Sequence, residues 1–252
     1  AGLQRMLIAD TNLGEIASMK ISANEHTARN RVDTGPADWP ALQERATQLL
    51  RFPQTGDFGS RFQALHEELL RHTTQTPDAT VLALIYLSAQ ETRLYSATHA
   101  MLVSCVCMLT AREVLGWPET KVQTLGRAAL SMNVAMTELQ DQLVQQSHPL
   151  SATQITAVEN HAGRSEALLR HLGVADPTWL EAVRCHHHRM PGALSEKSEA
   201  QQIARLIQRA DISAARLAPR VARLPMPVTA AMQASYYDEE HHVDAAGAAI
   251  VK

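Results

Sequence analysis

Twelve histidines in 252 residues are the compositional outlier of this chain. Four of them, His99, His161, His186 and His187, fall with Asp211 in segments of helical patterning. Neutral imidazoles and a carboxylate are donors that suit a transition metal, and facing helices of a bundle can aim such side chains into one interior. Spacing alone leaves a plainer reading open, in which these are polar residues on helix surfaces or at helix ends. His66, His72, His148, His171, His241 and His242 belong to no such arrangement. A second chemistry lies in Arg216, Arg220 and Arg223, a basic stripe at near-helical spacing interrupted by Pro219. Guanidinium groups pair bidentately with phosphate; the alternative is a solvated face. The three cysteines, Cys105, Cys107 and Cys185, make neither a disulfide framework nor a zinc spacing, as expected of a cytoplasmic protein.

The elements that must position these residues are helices. Up to about Gly35 the pattern is weak, with LQRMLIAD as a short candidate strand. Helices are expected over Trp39 to Leu50, Phe58 to His72 and from Val81 to about Thr92. Polar TTQTPD separates the second from the third, so residues 1–76 read as a small, mainly helical N-terminal module and residues 77–252 as a second unit. In Tyr95 to Leu115 the recurrence of Tyr95, His99, Leu102, Val103, Val106 and Leu109 places His99 toward the core, and Gly116-Trp117-Pro118 ends the helix. A helix after Pro118 carries Val122, Leu125, Leu130 and Val134 inward. Ser151 is an N-cap for a helix to Leu172 with Gly173 as its stop. Further helices are expected from Pro177 to about His188, from Ser198 to Leu217, over MPVTAAMQASYYD and at the C-terminus. The fold class is therefore all-α, with Leu102, Val106, Leu125, Leu130, Leu168 and Leu206 as expected core residues.

A hydrophobic content of 45% can fill a sizeable core and excludes a collagenous or disordered chain. The net charge of −3 gives no overall field toward nucleic acid polymers or anionic membranes. The apolar stretch Met101 to Leu109 is far below the roughly 20 residues of a membrane span, so no membrane insertion is expected.

Order and context add a resemblance. From about Pro77 onward the chain resembles the HD-GYP family, helical metal-dependent phosphodiesterases of the HD superfamily that hydrolyse cyclic di-GMP. THAMLV at Thr98 looks like the family's opening helix, and PLSATQITAVENHAGRSEALLRHLGV puts His161 on a ligand histidine. CHHHRMPG puts His186 and His187 on the paired ligands and Arg189 on the arginine of the HHER sequence. RADISAARLAPRVAR puts Asp211 on the ligand aspartate, and Arg220 and Arg223 on two arginines that the resemblance makes phosphate-binding candidates. The implied fold is an HD-domain-like helical bundle.

The departures carry as much meaning. Where the family reads LLHDIGK this chain reads LSMNVAM, with Met132 at the lost histidine, Asn133 at the lost aspartate and Met136 at the lysine. Tyr95 stands where some members have a glutamate ligand, and after Arg189 the chain reads MPGALSE with no DGxGYP. A bridging carboxylate holds two dications together and helps generate the attacking hydroxide, which neutral Asn133 cannot do. The resemblance therefore implies a degenerate member with no catalytic residues, acting as a regulatory or protein-interaction module in bacterial signalling. Its expected partners are signalling proteins or other domains of a longer chain of which this is a fragment; cyclic di-GMP and a second copy are further options. No cofactor is expected in that reading. The alternative is a phosphohydrolase using one residual zinc, iron or manganese ion, if active a cyclic di-GMP phosphodiesterase. A third reading is an output domain of the HDOD type, against which the retained His-His and Arg-Ala-Asp sequences speak.

Overall fold

The computed structural model describes residues 37–90, 92–237 and 242–252, so the LQRMLIAD strand expectation lies outside the described residues. The described chain is all-α, with isolated two-residue bridges and no sheet. In order the helices are α1 (Trp39–Arg51), α2 (Phe58–Gln75), α3 (Pro77–Gln90), α4 (Tyr95–Leu109), α5 (Glu119–Ser131) and α6 (Thr137–Gln145). They continue with α7 (Ala152–Glu159), α8 (His161–His171), α9 (Pro177–Cys185), α10 (Glu199–Leu217), α11 (Val228–Tyr236) and α12 (Ala245–Val251). None of them is long and apolar enough to cross a membrane.

The bundle is built around α4, in which every residue but Val106 and Leu109 is buried. It packs against α1, α2, α3, α5, α6 and α10. A helix surrounded on all sides has no polar face, so its periodicity does not tell which residues lie deepest. That is why Val106 and Leu109, expected inside, are the half-buried ones. Leu102, Leu125, Leu130 and Leu206 lie in the core as expected, whereas Leu168 packs against its edge. One hydrophobic cluster extends from Leu42 on α1 to Ile250 on α12, so the described parts of 1–76 and 77–252 share a core.

Local chemistry sets most of the helix ends. Ser151 and Ser198 each form a reciprocal capping box, with Gln154 and Gln201 respectively, that starts α7 and α10. The positive φ of Gly173, +92°, follows the end of α8. Helix α4 has no capping side chain of its own; instead Asp141 on α6 accepts the Ser96 N–H at 2.7 Å and the Ser96 hydroxyl at 2.9 Å. Arg51 of α1 donates to the same carboxylate at 2.7 Å, so one buried anion ties three helices at the N-terminal end of α4.

Three expected helices differ in detail, and an expected helical stripe is not helical. The Tyr95 helix widens at its end into a π-helical turn, Thr110–Val114, before Gly116 and Pro118 stop it. The Ser151 helix breaks at Asn160 into α7 and α8, and the Pro177 helix ends at Cys185 rather than His188. The helix carrying Arg216 ends at Leu217 as expected, so Arg220 and Arg223 lie on a non-helical turn rather than on a helical stripe.

Candidate metal centre

The two unexpected helix ends build the site. The last turn of a helix leaves carbonyls without intrahelical partners. His161, at the first position of α8, places Nδ1 2.5 Å from the carbonyl of Val158 near the end of α7. His186, just past α9, places Nδ1 2.6 Å from the carbonyl of Val183. A carbonyl only accepts, so in both rings Nδ1 carries the proton and Nε2 presents a lone pair. Those two Nε2 atoms face each other at 3.2 Å. Without a proton or a cation between them the contact is repulsive. Two nitrogens bound at 2.0–2.1 Å to one tetrahedral ion stand about 3.3 Å apart, close to this separation.

His187 completes the cluster, its ring centroid 4.1 Å from that of His186 and 4.9 Å from that of His161. One ring nitrogen from each of the three histidines lies within 4.8 Å of the others. His161 and His186 are buried and His187 is exposed, which leaves one side of the cluster open to solvent. A cleft of about 530 Å³, lined by Asn160, His161, Gly163, Arg184, His187 and His188, opens there. Burial, joined by the neighbouring histidine charges, pushes His161 down from its ordinary value and His186 to about 3. Both rings therefore remain neutral ligands at physiological pH. Backbone carbonyls that orient ligating imidazoles through the opposite nitrogen are the usual support of such ligands.

His99 and Asp211, expected in the same constellation, pair with each other instead. His99 Nε2 donates to Asp211 Oδ1 at 2.6 Å, and the Tyr95 hydroxyl lies 3.2 Å from His99 Nδ1. Two ligands of one ion at about 2.0–2.2 Å and right angles stand about 2.9 Å apart or more, so 2.6 Å is a hydrogen bond rather than a shared metal. Burial raises the Asp211 carboxyl, but the His99 hydrogen bond and the charges of His99, His187 and His186 outweigh it and hold it at about 2. Asp211 thus lies within electrostatic reach of the cluster as an anion. Tyr95 connects this pair outward, because the Arg220 guanidinium stands 6.0 Å from the centroid of its ring.

Met132 and Asn133 lie on the turn after α5. Met132 is fully buried in the core. Asn133 is buried with its Oδ1 lacking a hydrogen-bond partner. The short 3-10 turn that follows, Val134–Met136, packs on α8, and the Ala135 N–H donates to Ser165 Oγ one turn after His161. The carbonyls of Val158 and Val183 escaped sequence reading because any residue type supplies a carbonyl. His188 and Arg184, which line the cleft, were not expected there; the His-His-His run was the available signal for the first.

Comparison of the chain with protein-family models, with curated proteins and with solved structures finds no match. The structure thus defines an all-α bundle with a three-histidine cluster able to coordinate a metal ion.

Proposed function

We propose that this chain is a non-hydrolytic, HD-GYP-like regulatory domain whose three-histidine cluster holds a single transition-metal ion. The observation that supports this reading is the pair of facing Nε2 atoms of His161 and His186, each ring fixed through its Nδ1 on a backbone carbonyl. The cluster contains no carboxylate. A second dication would have no bridging anion to hold it beside the first. Neutral nitrogen donors suit zinc or iron, and manganese less well. When bound, the ion would supply a Lewis-acidic position facing the cleft. The chain's own residues orient the His161 and His186 imidazoles, keep those two deprotonated and place the Asp211 anion, which pairs with His99, nearby. Regulation and protein interaction in cyclic di-GMP-type signalling is the role that this combination fits best.

One observation favours the second reading, a single-metal phosphohydrolase: the cleft leads from solvent to His161 and His187, so a water on the ion could meet a substrate there. Elemental analysis and a cyclic di-GMP hydrolysis assay on the same purified sample separate the two. We expect about one ion per chain, lost in His186→Ala, with no turnover when manganese or iron is added. Metal-dependent turnover that His186→Ala abolishes would establish the second reading.

A further inference from the structure

We infer that the turn between α10 and α11, around Arg220 to Leu224, is a docking surface for an acidic, amphipathic segment of a protein partner. This inference rests on the reading of the chain as an interaction module and names the surface that would serve it.

The turn is held in a definite shape. The Arg220 N–H donates to the Arg223 carbonyl and the Arg223 N–H to the Arg220 carbonyl, both at 2.9 Å. The Val221 N–H donates to the Val144 carbonyl at the end of α6 at 3.0 Å, and the Met226 N–H to the Arg216 carbonyl at 2.9 Å. The Arg223 side chain donates to the Ala215 carbonyl at 2.6 Å. Yet this fixed turn presents Val221 at 60% and Leu224 at 85% exposure, the two most exposed large hydrophobic side chains among the described residues. Apolar groups held rigidly in water lose little conformational freedom when covered, which favours association.

Three arginines gather around them. Among the described residues Arg223 donates to a backbone carbonyl and Arg220 stands over the Tyr95 ring, and neither they nor Arg216 form an ion pair with a carboxylate. Partial burial, then the charges of Arg220 and Arg216, depress Arg223 from its ordinary value. Like charges gathered this closely are relieved by an anionic partner. A phosphate or nucleotide would meet the arginines but would leave Val221 and Leu224 in water. An anionic bilayer offers charge of the same sign and is the outcome that the vesicle arm of the test separates. Carboxylates and aliphatic side chains on one polypeptide face satisfy both features, and arginine beside apolar residues is a composition enriched in protein interfaces.

The test uses the full chain and a fluorescein-labelled synthetic helical peptide with a leucine stripe flanked by glutamates, followed by anisotropy. We expect saturable binding that weakens at least tenfold in the double variant Arg220→Glu/Arg223→Glu and in Val221→Ser/Leu224→Ser. Arg170→Glu on α8 should leave it unchanged. The same peptide with glutamine for glutamate should bind at least tenfold more weakly. The serine pair removes no hydrogen bond of the turn, so it stays informative if the charge reversal disturbs folding. The inference is overturned by an absence of saturable binding, or if either double variant binds the peptide as tightly as the native chain does. It is also overturned if inorganic pyrophosphate or phosphatidylglycerol vesicles bind at these arginines while the peptide does not. Hydrolysis of cyclic di-GMP would instead defeat the regulatory reading, whatever the peptide does.

Discussion

His161 and His186 make the same contact, each reaching the carbonyl three residues earlier with Nδ1 so that their Nε2 atoms oppose each other at 3.2 Å. The symmetry has a common cause. Each histidine sits where a helix has just ended, and the final turn leaves a carbonyl within reach of the imidazole. The proton is thereby fixed on the outer nitrogen, and two lone pairs are aimed at one point.

The first consequence concerns metal removal. Stripping the ion with a chelator should lower the melting temperature, because an ion bound only by the folded chain stabilises it by mass action. Re-addition of zinc should restore the melt in the native chain and not in His186→Ala. Equal melting temperatures with and without metal in the native chain would argue against occupancy of the cluster.

His66 sets a pH dependence unconnected to the metal. It is 1% exposed on α2 and neither ring nitrogen has a hydrogen-bond partner. Burial, then the charge of Arg127, pushes it from 6.5 to about 4. Above pH 6.5 both folded and unfolded chains hold it neutral. Between 6.5 and about 4 the unfolded chain takes a proton that the folded one refuses, so stability falls as pH falls. At pH 5 the loss from this one group is about 2 kcal/mol. Denaturant unfolding at pH 7.5 and pH 5 should show a drop smaller by about that amount in His66→Leu.

Asp141 caps a helix to which it does not belong. Asp141→Ala would leave the Ser96 amide and Arg51 without their shared acceptor at the N-terminal end of α4. A loss of about 2–3 kcal/mol is expected, between that of an ordinary cap and that of a broken buried pair. Asp141→Asn, which keeps an acceptor oxygen but not the charge, should lose less.

The C-terminal helix is docked at one close approach. A Cβ on Gly247 of α12 would stand 1.8 Å from the Ser235 carbonyl oxygen on α11. Gly247→Ala should therefore prise α12 from the bundle at a cost of about 3 kcal/mol. Faster chymotryptic cleavage near Tyr236 and Tyr237, with a lowered melting temperature, is the expected signature; unchanged proteolysis would mean that α11 and α12 adjust without separating.

Local chemistry was legible in the order of residues. Ser151 and Ser198 start helices because a hydroxyl three residues before a free amide caps it in any fold, and Gly173 ends one because it tolerates the left-handed backbone. The three histidines of the cluster could also be named in advance, as members of a larger candidate set. What only the tertiary structure decided was which candidates meet. His99 and Asp211 are 112 residues apart and bind each other rather than the cluster. The breaks at Asn160 and after Cys185, which free the carbonyls that orient His161 and His186, interrupt segments whose patterns continue smoothly through them. A helix ends where packing gains more from turning the chain than from one further hydrogen bond, and that balance is set by neighbours distant in sequence.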